Sequence, residues 1–404
     1  MKITGIITEY NPFHNGHLFH LNSIKNQLES DAVVCVMSGN FVQRGLPAVL
    51  DKWSRAKMAL LNGVDLVIEL PSVYAVSSAE FFSFGAVSIL NSTGVIDNIC
   101  FGSESGNINT LNSIAHILVN ESSEFKEQLR ANLKEGLSFP KAREKALYDL
   151  LKNDKNAEDI ISYITSPNNI LGIEYCKSLK VINSSIKPCT IKRTGSGYND
   201  SKALTSLASA TSIRNLIKED GYEKCISLMP EASYNVLEQS LSAGIQIPDV
   251  EDMFKYIKYK LLSDSSLISR IPDISEGLDY KILNEIRKAS SYNELLFNIK
   301  SKRYTLTRVS RILCQIYLGF ENYDIMSLRK TSPKYIRVLG FNETGQKILK
   351  MIKEKSNCTL ITKMPKNDID PMLQIDINST NLYSLLTNSI KYGSDYLKKP
   401  VIVK

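Results

Sequence analysis

The sequence predicts an α/β protein in which a Rossmann-like, doubly wound domain is followed by a mostly helical, basic domain. Short runs rich in Ile and Val alternate with amphipathic helical patterns through residues 1–101, as in βαβ units around a parallel sheet. The chain has 404 residues, which is more than one hydrophobic core usually serves. Positive charge is concentrated in the second half of the chain. The two halves are therefore expected to have separate tasks.

The first domain begins with a regular alternation of strands and helices. Its predicted strands are residues 3–8, 32–37, 65–70 and 99–101, and its predicted helices are residues 16–27, 52–62 and 77–91. A parallel sheet of this kind binds its ligands in the loops that follow the carboxyl ends of its strands. Functional residues are therefore expected directly after the predicted strands.

A mostly helical insertion is predicted at about residues 106–180, with a charged, solvated helical hairpin at residues 124–155. Ser166 followed by Pro167 is typical of a helix start, with a capping Ser before a Pro in the first turn. A strand at residues 186–191 then leads into the run Arg193-Thr194-Gly195-Ser196-Gly197. We place the end of this domain at residue 235.

The second domain, residues 236–404, is predicted to be helical to about residue 321. It ends in a small α/β piece with strands at residues 335–339 and 359–362 and a helix at residues 344–354. It holds 26 Lys and Arg against 18 Asp and Glu, and residues 281–337 hold twelve basic residues against four acidic ones. This surplus fits a polyanionic partner, although a solvated helix face also explains many charge runs.

Composition disfavours several classes of protein. No apolar run approaches the roughly 20 residues of a membrane span, and the apolar start is too short for a signal peptide, so we expect a cytoplasmic protein. The seven cysteines are scattered without a CxxC pair, which predicts buried thiols rather than a zinc site or a disulfide framework. GxxxxGK[ST] does not occur, and no GxGxxG follows the first strand, so a P-loop and an ordinary dinucleotide fold are disfavoured. Nothing in the sequence indicates a protein partner.

The loop after the first strand carries the most informative motif. Three of the four histidines, His14, His17 and His20, lie within seven residues. Gly16 lets the backbone approach a ligand, and His17 falls on the first helical turn, whose free N–H groups and positive dipole end attract phosphate. Two imidazoles there can donate hydrogen bonds to a nucleotide phosphate as charge builds in the transition state. The pattern favours adenylyl transfer; a chance pair and a metal site are the alternatives, and no acidic or Cys ligand lies at helical spacing for a metal.

A second motif, Ser209-Ala210-Thr211-Ser212-Ile213-Arg214, combines hydroxyl groups with an arginine at a predicted helix start. Such a segment can hold an anion, with Arg214 donating two parallel hydrogen bonds to a phosphate. Alone, the motif is better explained as an N-cap followed by a surface arginine. The motif follows the HxGH pattern of residues 14–17, which lies in the α/β half of the chain. The presence of both motifs in this order favours the phosphate interpretation.

The two motifs together resemble those of the HIGH-type nucleotidyltransferase superfamily. The run Glu9-Tyr10-Asn11-Pro12-Phe13-His14-Asn15-Gly16-His17 is more specific, and it resembles the bacterial tRNA(Met) cytidine acetate ligase family. Further segments fit that family: Met37-Ser38-Gly39-Asn40-Phe41-Val42-Gln43-Arg44-Gly45, Phe101-Gly102-Ser103-Glu104, Pro167-Asn168-Asn169-Ile170-Leu171-Gly172, and Arg193 with Gly195-Ser196-Gly197-Tyr198. The second motif departs from the family in reading Ser-Ala-Thr-Ser-Ile-Arg rather than a run of serines.

The resemblance implies a nucleotidyltransferase-type domain that forms acetyl-AMP and pyrophosphate from ATP and acetate with Mg²⁺, and then acetylates N4 of the wobble cytidine of elongator tRNA(Met). It implies catalytic roles for His14, His17, Ser212 and Arg214, the last two at the β and γ phosphates. ATP contacts are implied at Gly102, at Asn168 (with Asn169 as the alternative), at Arg193, and along Ile7, Thr8, Glu9, Tyr10, Asn11, Pro12, Phe13, His14, Asn15, Gly16, His17, Leu18, Phe19 and His20. No metal-ligating residue is identified.

For the second domain the resemblance implies tRNA binding, which we assign to Lys300, Lys302, Arg303, Arg308 and Arg311. The loop residues Gln43, Arg44 and Gly45 fit an acyl or base site and an ordinary polar loop equally well. Two other functions stay open: a small-molecule adenylyltransferase that does not need the basic half, and a noncatalytic RNA-binding protein, against which the intact HxGH motif argues.

Overall fold

The computed structural model describes residues 1–152, 163–193, 208–275 and 277–404. In these residues the strands are β1 (Ile3–Thr8), β2 (Ala32–Ser38), β3 (Phe41–Val42), β4 (Leu46–Pro47), β5 (Leu66–Leu70), β6 (Asn98–Ser103), β7 (Lys187–Lys192), β8 (Tyr335–Phe341), β9 (Thr359–Ile361) and β10 (Val401–Ile402). Predicted and observed strand bounds differ by a residue or two at most.

The helices of the first half are α1 (Asn15–Gln27), α2 (Lys52–Leu61), α3 (Ser72–Ala75), α4 (Ala79–Ser92), α5 (Ile108–Val119), α6 (Ser123–Lys134), α7 (Phe139–Leu151), α8 (Pro167–Val181) and α9 (Ala210–Glu219). Those of the second half are α10 (Glu231–Ser242), α11 (Val250–Ser263), α12 (Leu278–Lys288), α13 (Tyr292–Ile299), α14 (Leu306–Leu318), α15 (Ile325–Leu328), α16 (Glu343–Lys355), α17 (Pro371–Tyr383) and α18 (Ser394–Leu397). Among the described residues, no helix has the length and apolar character needed to cross a membrane.

The central sheet has the strand order β10-β8-β5-β2-β1-β6-β7, with β9 paired to β8. β1 runs parallel to β2, in register from Ile3 opposite Ala32 to Thr8 opposite Met37, and parallel to β6 on its other side. Along β2, Val34 and Val36 enter one apolar core, whereas the alternating residue Cys35 enters a second core. Both faces of the sheet are therefore covered, which explains the continuous apolar strands. The predicted doubly wound α/β class is confirmed.

The predicted helical insertion follows β6. Helices α6 and α7 pack against each other as the expected hairpin, whose predicted last residues, 153–155, lie outside the described part of the chain. Helix α8 begins at Pro167 with Ser166 at its N-cap, as predicted. The predicted glycine-rich run from Thr194 to Tyr198 also lies outside the described residues.

The terminal α/β piece occurs where it is predicted, but it extends the sheet of the first half. β8 pairs antiparallel with β5, with Leu66 opposite Phe341 and Val67 opposite Gly340, and β10 runs parallel to β8. Short strands show their own conformation in sequence but not their distant partner. The domain boundary at residue 235 stays a prediction, and the sheet contains strands from both sides of it.

A buried ionic network accompanies this junction. Lys52 Nζ lies 2.8 Å from Glu69 Oε1 and 3.0 Å from Asp395 Oδ1. Arg337 lies 3.0 Å from Glu69 Oε2 and 2.7 Å from Asp395 Oδ1. All four side chains are buried, so each charge depends on the others for compensation.

A short hairpin that the sequence does not predict follows β2. β3 and β4 pair antiparallel, with Val42 opposite Leu46, and the turn between them contains Gln43, Arg44 and Gly45. This turn lies at the carboxyl ends of the parallel strands β1 and β2.

Candidate active site

The HxGH motif forms the start of α1, directly after β1. His14 is the N-cap residue, in extended conformation with φ −137°. Its Nδ1 accepts a hydrogen bond from the Gly16 N–H at 3.0 Å, and His17 Nδ1 accepts one from the His14 N–H at 3.3 Å. The two histidines thus form a capping box, and the predicted position of His17 in the first helical turn is confirmed.

This cap corrects one part of the sequence-based reasoning. The first helical N–H groups were expected to be free for a phosphate, but the Gly16 N–H is bonded to His14 and the Asn15 N–H to the Leu228 carbonyl at 3.1 Å. Because Nδ1 of each imidazole accepts a hydrogen bond, a neutral ring carries its proton on Nε2. The imidazole Nε2–H groups of His14 and His17 are therefore donors available for an anion.

The two imidazoles stack, with ring centroids 3.8 Å apart and an interplanar angle of 28°. Burial, with smaller contributions from the nearby Arg193 and Arg214 charges, lowers the pKa of His14 to about 4. Burial also lowers the pKa of His17 well below its ordinary value and that of His20 to about 4. At neutral pH these rings are neutral hydrogen-bond donors.

The second motif folds against the first. Ser209 is the N-cap of α9, and its hydroxyl accepts from the Ser212 N–H at 3.1 Å. Arg214 Nη1 donates to the Asn11 carbonyl at 2.9 Å, and its Nη2 donates to Thr211 Oγ1 at 2.9 Å. The structure thereby brings Arg214 to the loop that precedes His14, although about 200 residues separate the motifs. Ser212 is exposed beside them.

Three further predicted ATP contacts lie near the carboxyl ends of β6 and β7: Gly102 within β6, Asn168 in the first turn of α8, and Arg193 directly after β7. A side chain at Gly102 would meet Arg193 Cγ at 3.2 Å, and the Arg193 N–H donates to the Ser103 carbonyl at 2.9 Å. The Glu104 carboxylate caps α8 by accepting from the Asn168 N–H at 3.1 Å and from its side-chain amide at 2.7 Å. Asn169 is only 2% exposed, so the half-buried Asn168 is the more accessible of the two.

Most apolar members of the segment Ile7 to His20 shape the loop. Tyr10 and Phe13 are buried and both contact the His17 ring, with centroid distances of 4.8 and 5.5 Å. Tyr10 has a φ of 45°, which is uncommon for an aromatic residue. Asn11 is buried and accepts from the Val49 N–H at 2.8 Å. Of the remaining members, Pro12 is buried and Phe19 is exposed. The others are half-buried: Ile7, Thr8, Asn15, Leu18 and His20.

Arg55 is a site-supporting residue that the sequence did not reveal. It is fully buried, and its guanidinium donates to the carbonyl oxygens of Leu50 at 3.0 Å, Glu9 at 2.6 Å, Ser38 at 3.1 Å, and Gly39. It therefore fixes the ends of β1 and β2 relative to each other. An arginine in a helix usually lies at the surface, so the pattern of α2 gave no signal.

Glu9 directly follows β1 and contacts the β3–β4 turn. Its Oε1 accepts from the Gln43 N–H at 2.9 Å. Burial raises the pKa of its carboxyl group, and this rise is opposed by the Gln43 hydrogen bond and by the charges of Arg214, Arg44 and Arg55. Positive charge thus dominates the region around the first loop.

The predicted tRNA contacts fall into two groups. Lys300, Lys302 and Arg303 are exposed. Arg308 is half-buried and donates to the Asp273 carbonyl at 3.2 Å and to Ser275 Oγ at 2.7 Å, and Arg311 is also half-buried. The first group is the more available to a polyanion.

Comparison with known proteins places this arrangement in a family. Residues 1–396 match the family model described as HIGH Nucleotidyl Transferase. A protein of Clostridium perfringens named tRNA(Met) cytidine acetate ligase is 52% identical over 409 aligned positions that cover all of both chains. The chain belongs to the tRNA(Met) cytidine acetate ligase family. A family member of Clostridium novyi with the same name is 49% identical, again over the full length of both chains.

Solved structures of the family share the whole fold. The crystal structure of Thermotoga maritima TmcAL bound with alpha-thio ATP has a TM-score of 0.92 and 34% sequence identity, with all of both chains covered. The structure without a ligand gives the same TM-score at 35% identity. The family membership predicted from the run Glu9 to His17 and the further matching segments is confirmed.

Proposed function

We propose that this protein is an ATP-dependent ligase that makes N4-acetylcytidine at the wobble position of elongator tRNA(Met). It forms acetyl-AMP from acetate and ATP, and then transfers the acetyl group to N4 of the cytidine. The observation that carries the proposal is the stacked His14–His17 pair beside Arg214, in a chain about half identical over its full length to proteins named for this reaction.

In the first step an acetate oxygen attacks the α-phosphorus of ATP, and the bond from that phosphorus to the bridging oxygen of pyrophosphate breaks. Negative charge increases on the leaving pyrophosphate. We propose that the Nε2–H groups of His14 and His17 donate to these oxygens, because neutral donors in a site that excludes water stabilise developing charge strongly. We propose that Arg214 and Ser212, at the start of α9, hold the β and γ phosphates.

The relative that binds alpha-thio ATP supports ATP as the nucleotide. Gly102 lies near the carboxyl end of β6, Arg193 directly follows the neighbouring parallel strand β7, and Asn168 donates to Glu104 just after β6. This common location supports their assignment as further ATP contacts. We propose that Mg²⁺ enters as its complex with ATP, because Mg²⁺ is commonly held by substrate phosphates and water with few protein ligands. No cluster of three His, Cys, Asp or Glu side chains suited to a metal occurs among the described residues.

In the second step the N4 amine attacks the acetyl carbonyl, the bond to AMP breaks, and the amine loses a proton. The target base must leave its stack to reach the loop after β1. We propose that Lys300, Lys302 and Arg303 hold the tRNA backbone, and that the protein works in the cytoplasm, where its tRNA substrate is.

The test is to incubate the protein with ATP, Mg²⁺, labelled acetate and total bacterial tRNA, and to search the digested RNA for labelled N4-acetylcytidine. His17→Ala should lower the rate by roughly 10²–10³, as for loss of a donor to developing charge. His116→Ala is the matched control, because His116 is exposed on α5 and should leave the rate unchanged. ATP turnover that ignores acetate, with unlabelled RNA, would contradict the proposal.

A further inference from the structure

Arg44 is the central residue of the β3–β4 turn. Its side chain is exposed, and within the described part of the chain it has no hydrogen bond or ion pair with another residue. Exposed arginines are common, but both neighbours of Arg44 in this turn, Gln43 and Gly45, contact other parts of the protein.

On one side the turn is fixed to the candidate active site. The Gln43 N–H donates to Glu9 Oε1 at 2.9 Å, and the Gly45 N–H donates to the Val42 carbonyl at 2.8 Å. Burial is the largest cause of the raised pKa of Glu9 and of the lowered pKa of Arg214. The charge of the nearby Arg44 opposes the first shift and adds to the second. The turn that carries Arg44 is therefore tied to the segment that leads into the HxGH motif.

On the other side the turn is fixed to the basic domain. Gly45 has a φ of +74°, and an added Cβ would meet the backbone of Ser310 and Arg311 at 2.5 Å. Ser310 Oγ also lies 3.4 Å from the Gly45 carbonyl oxygen. Helix α14 directly follows the exposed Lys300, Lys302 and Arg303, so the turn lies where the catalytic loop meets the proposed tRNA surface.

We propose that Arg44 binds a backbone phosphate of the RNA next to the target cytidine. This inference rests on the proposed function. A cytidine that enters the loop after β1 leaves its flanking phosphates at the rim of the site. An arginine that has no partner among the described residues can bind such a phosphate with two parallel hydrogen bonds. The ATP phosphates are the other source of this ligand chemistry, and the experiment separates the two.

The test compares Arg44→Gln and Arg44→Lys with the unaltered protein in two assays. The first is acetate-dependent exchange of pyrophosphate into ATP, which needs no RNA. The second is the dissociation constant for tRNA(Met) at several salt concentrations. Lys126→Gln, which removes an exposed charge from α6, is the control.

We expect Arg44→Gln to weaken tRNA binding about tenfold or more, as for loss of one charge-assisted contact. The slope of log Kd against log salt should fall by about 1, the change expected for one phosphate contact. Arg44→Lys should keep the slope, and pyrophosphate exchange should be unchanged in both variants. Lys126→Gln should change neither assay.

Unchanged tRNA binding in Arg44→Gln, an equal change in Lys126→Gln, or a parallel loss of pyrophosphate exchange would each overturn the assignment to RNA. A lack of acetate-dependent exchange in the unaltered protein would instead refute the proposed function, so the two failures are distinguishable.

Discussion

Gly45→Ala tests whether the close approach of the β3–β4 turn to α14 sustains the candidate site. The new Cβ would lie 2.5 Å from the Arg311 nitrogen and the Ser310 oxygen. Both are helix backbone atoms, which cannot rotate away as a side chain could. Ordinary contact would require the turn to move by about 1 Å, and the 2.9 Å bond from the Gln43 N–H to Glu9 would then break.

The expected cost has two parts. A left-handed backbone costs an alanine roughly 1–2 kcal/mol, and forcing a methyl group into a filled space costs about 1–3 kcal/mol. Gly244→Ala isolates the first part, because Gly244 has a φ of +81° with nothing within 4 Å of an added Cβ. Urea unfolding should therefore show Gly45→Ala to be the less stable variant by about 1–3 kcal/mol.

The displacement should also affect the reaction. A misplacement of about 1 Å can lower a rate roughly 10²-fold, so acetylation of tRNA should fall in Gly45→Ala and stay unchanged in Gly244→Ala. Equal free energies of unfolding in the two variants would show that the turn has room to adjust and that its contact with α14 does not hold it in place.

Two further predictions concern buried charge. Because the pKa of His14 is about 4 in the folded protein and about 6.5 when unfolded, the unfolded chain binds more protons between these values. The free energy of unfolding should therefore fall as pH drops from about 6.5 to 4, by up to about 3 kcal/mol more than in His14→Asn. Asn is chosen because it keeps an N-cap acceptor. Equal pH profiles of the two proteins in urea unfolding would contradict this. Arg337→Met leaves Glu69 and Asp395 with Lys52 alone, and should cost roughly 3–5 kcal/mol. Lys255→Ala, at the exposed Asp252 pair, should change thermal unfolding far less, because solvent screens an exposed ion pair. Similar losses in both variants would refute the role of the network.

What the sequence could predict was local. His14, Gly16 and His17 are neighbours in the chain, so their spacing after an apolar strand indicated both the helix start and an anion site. The start of α8 at Pro167 was predictable for the same reason. Arg214 was predictable only as part of a second motif, since nothing local shows that it donates to the Asn11 carbonyl.

The features that the sequence did not predict depend on distant contacts. Arg55 reads as a surface residue of α2, and its role depends on carbonyl groups at the ends of β1 and β2. The ionic network joins Lys52 and Glu69 to Arg337 and Asp395. Side chains of ordinary type in unremarkable patterns carry no sign of such partners, because burial and pairing arise only when the whole sheet forms.

The pairing of β8 with β5 also affects how the protein is made. On the ribosome, the β5 edge of the sheet stays open until residues 335–341 have been synthesised, and it lacks Arg337, one of the two cations that pair with Glu69. An exposed strand edge pairs readily with other chains, so a nascent chain halted near residue 235 is an aggregation hazard rather than a free-standing catalytic domain. The sheet of the first half is therefore complete only after the second half has been synthesised. Neither gene truncation nor domain exchange at residue 235 would preserve a complete sheet.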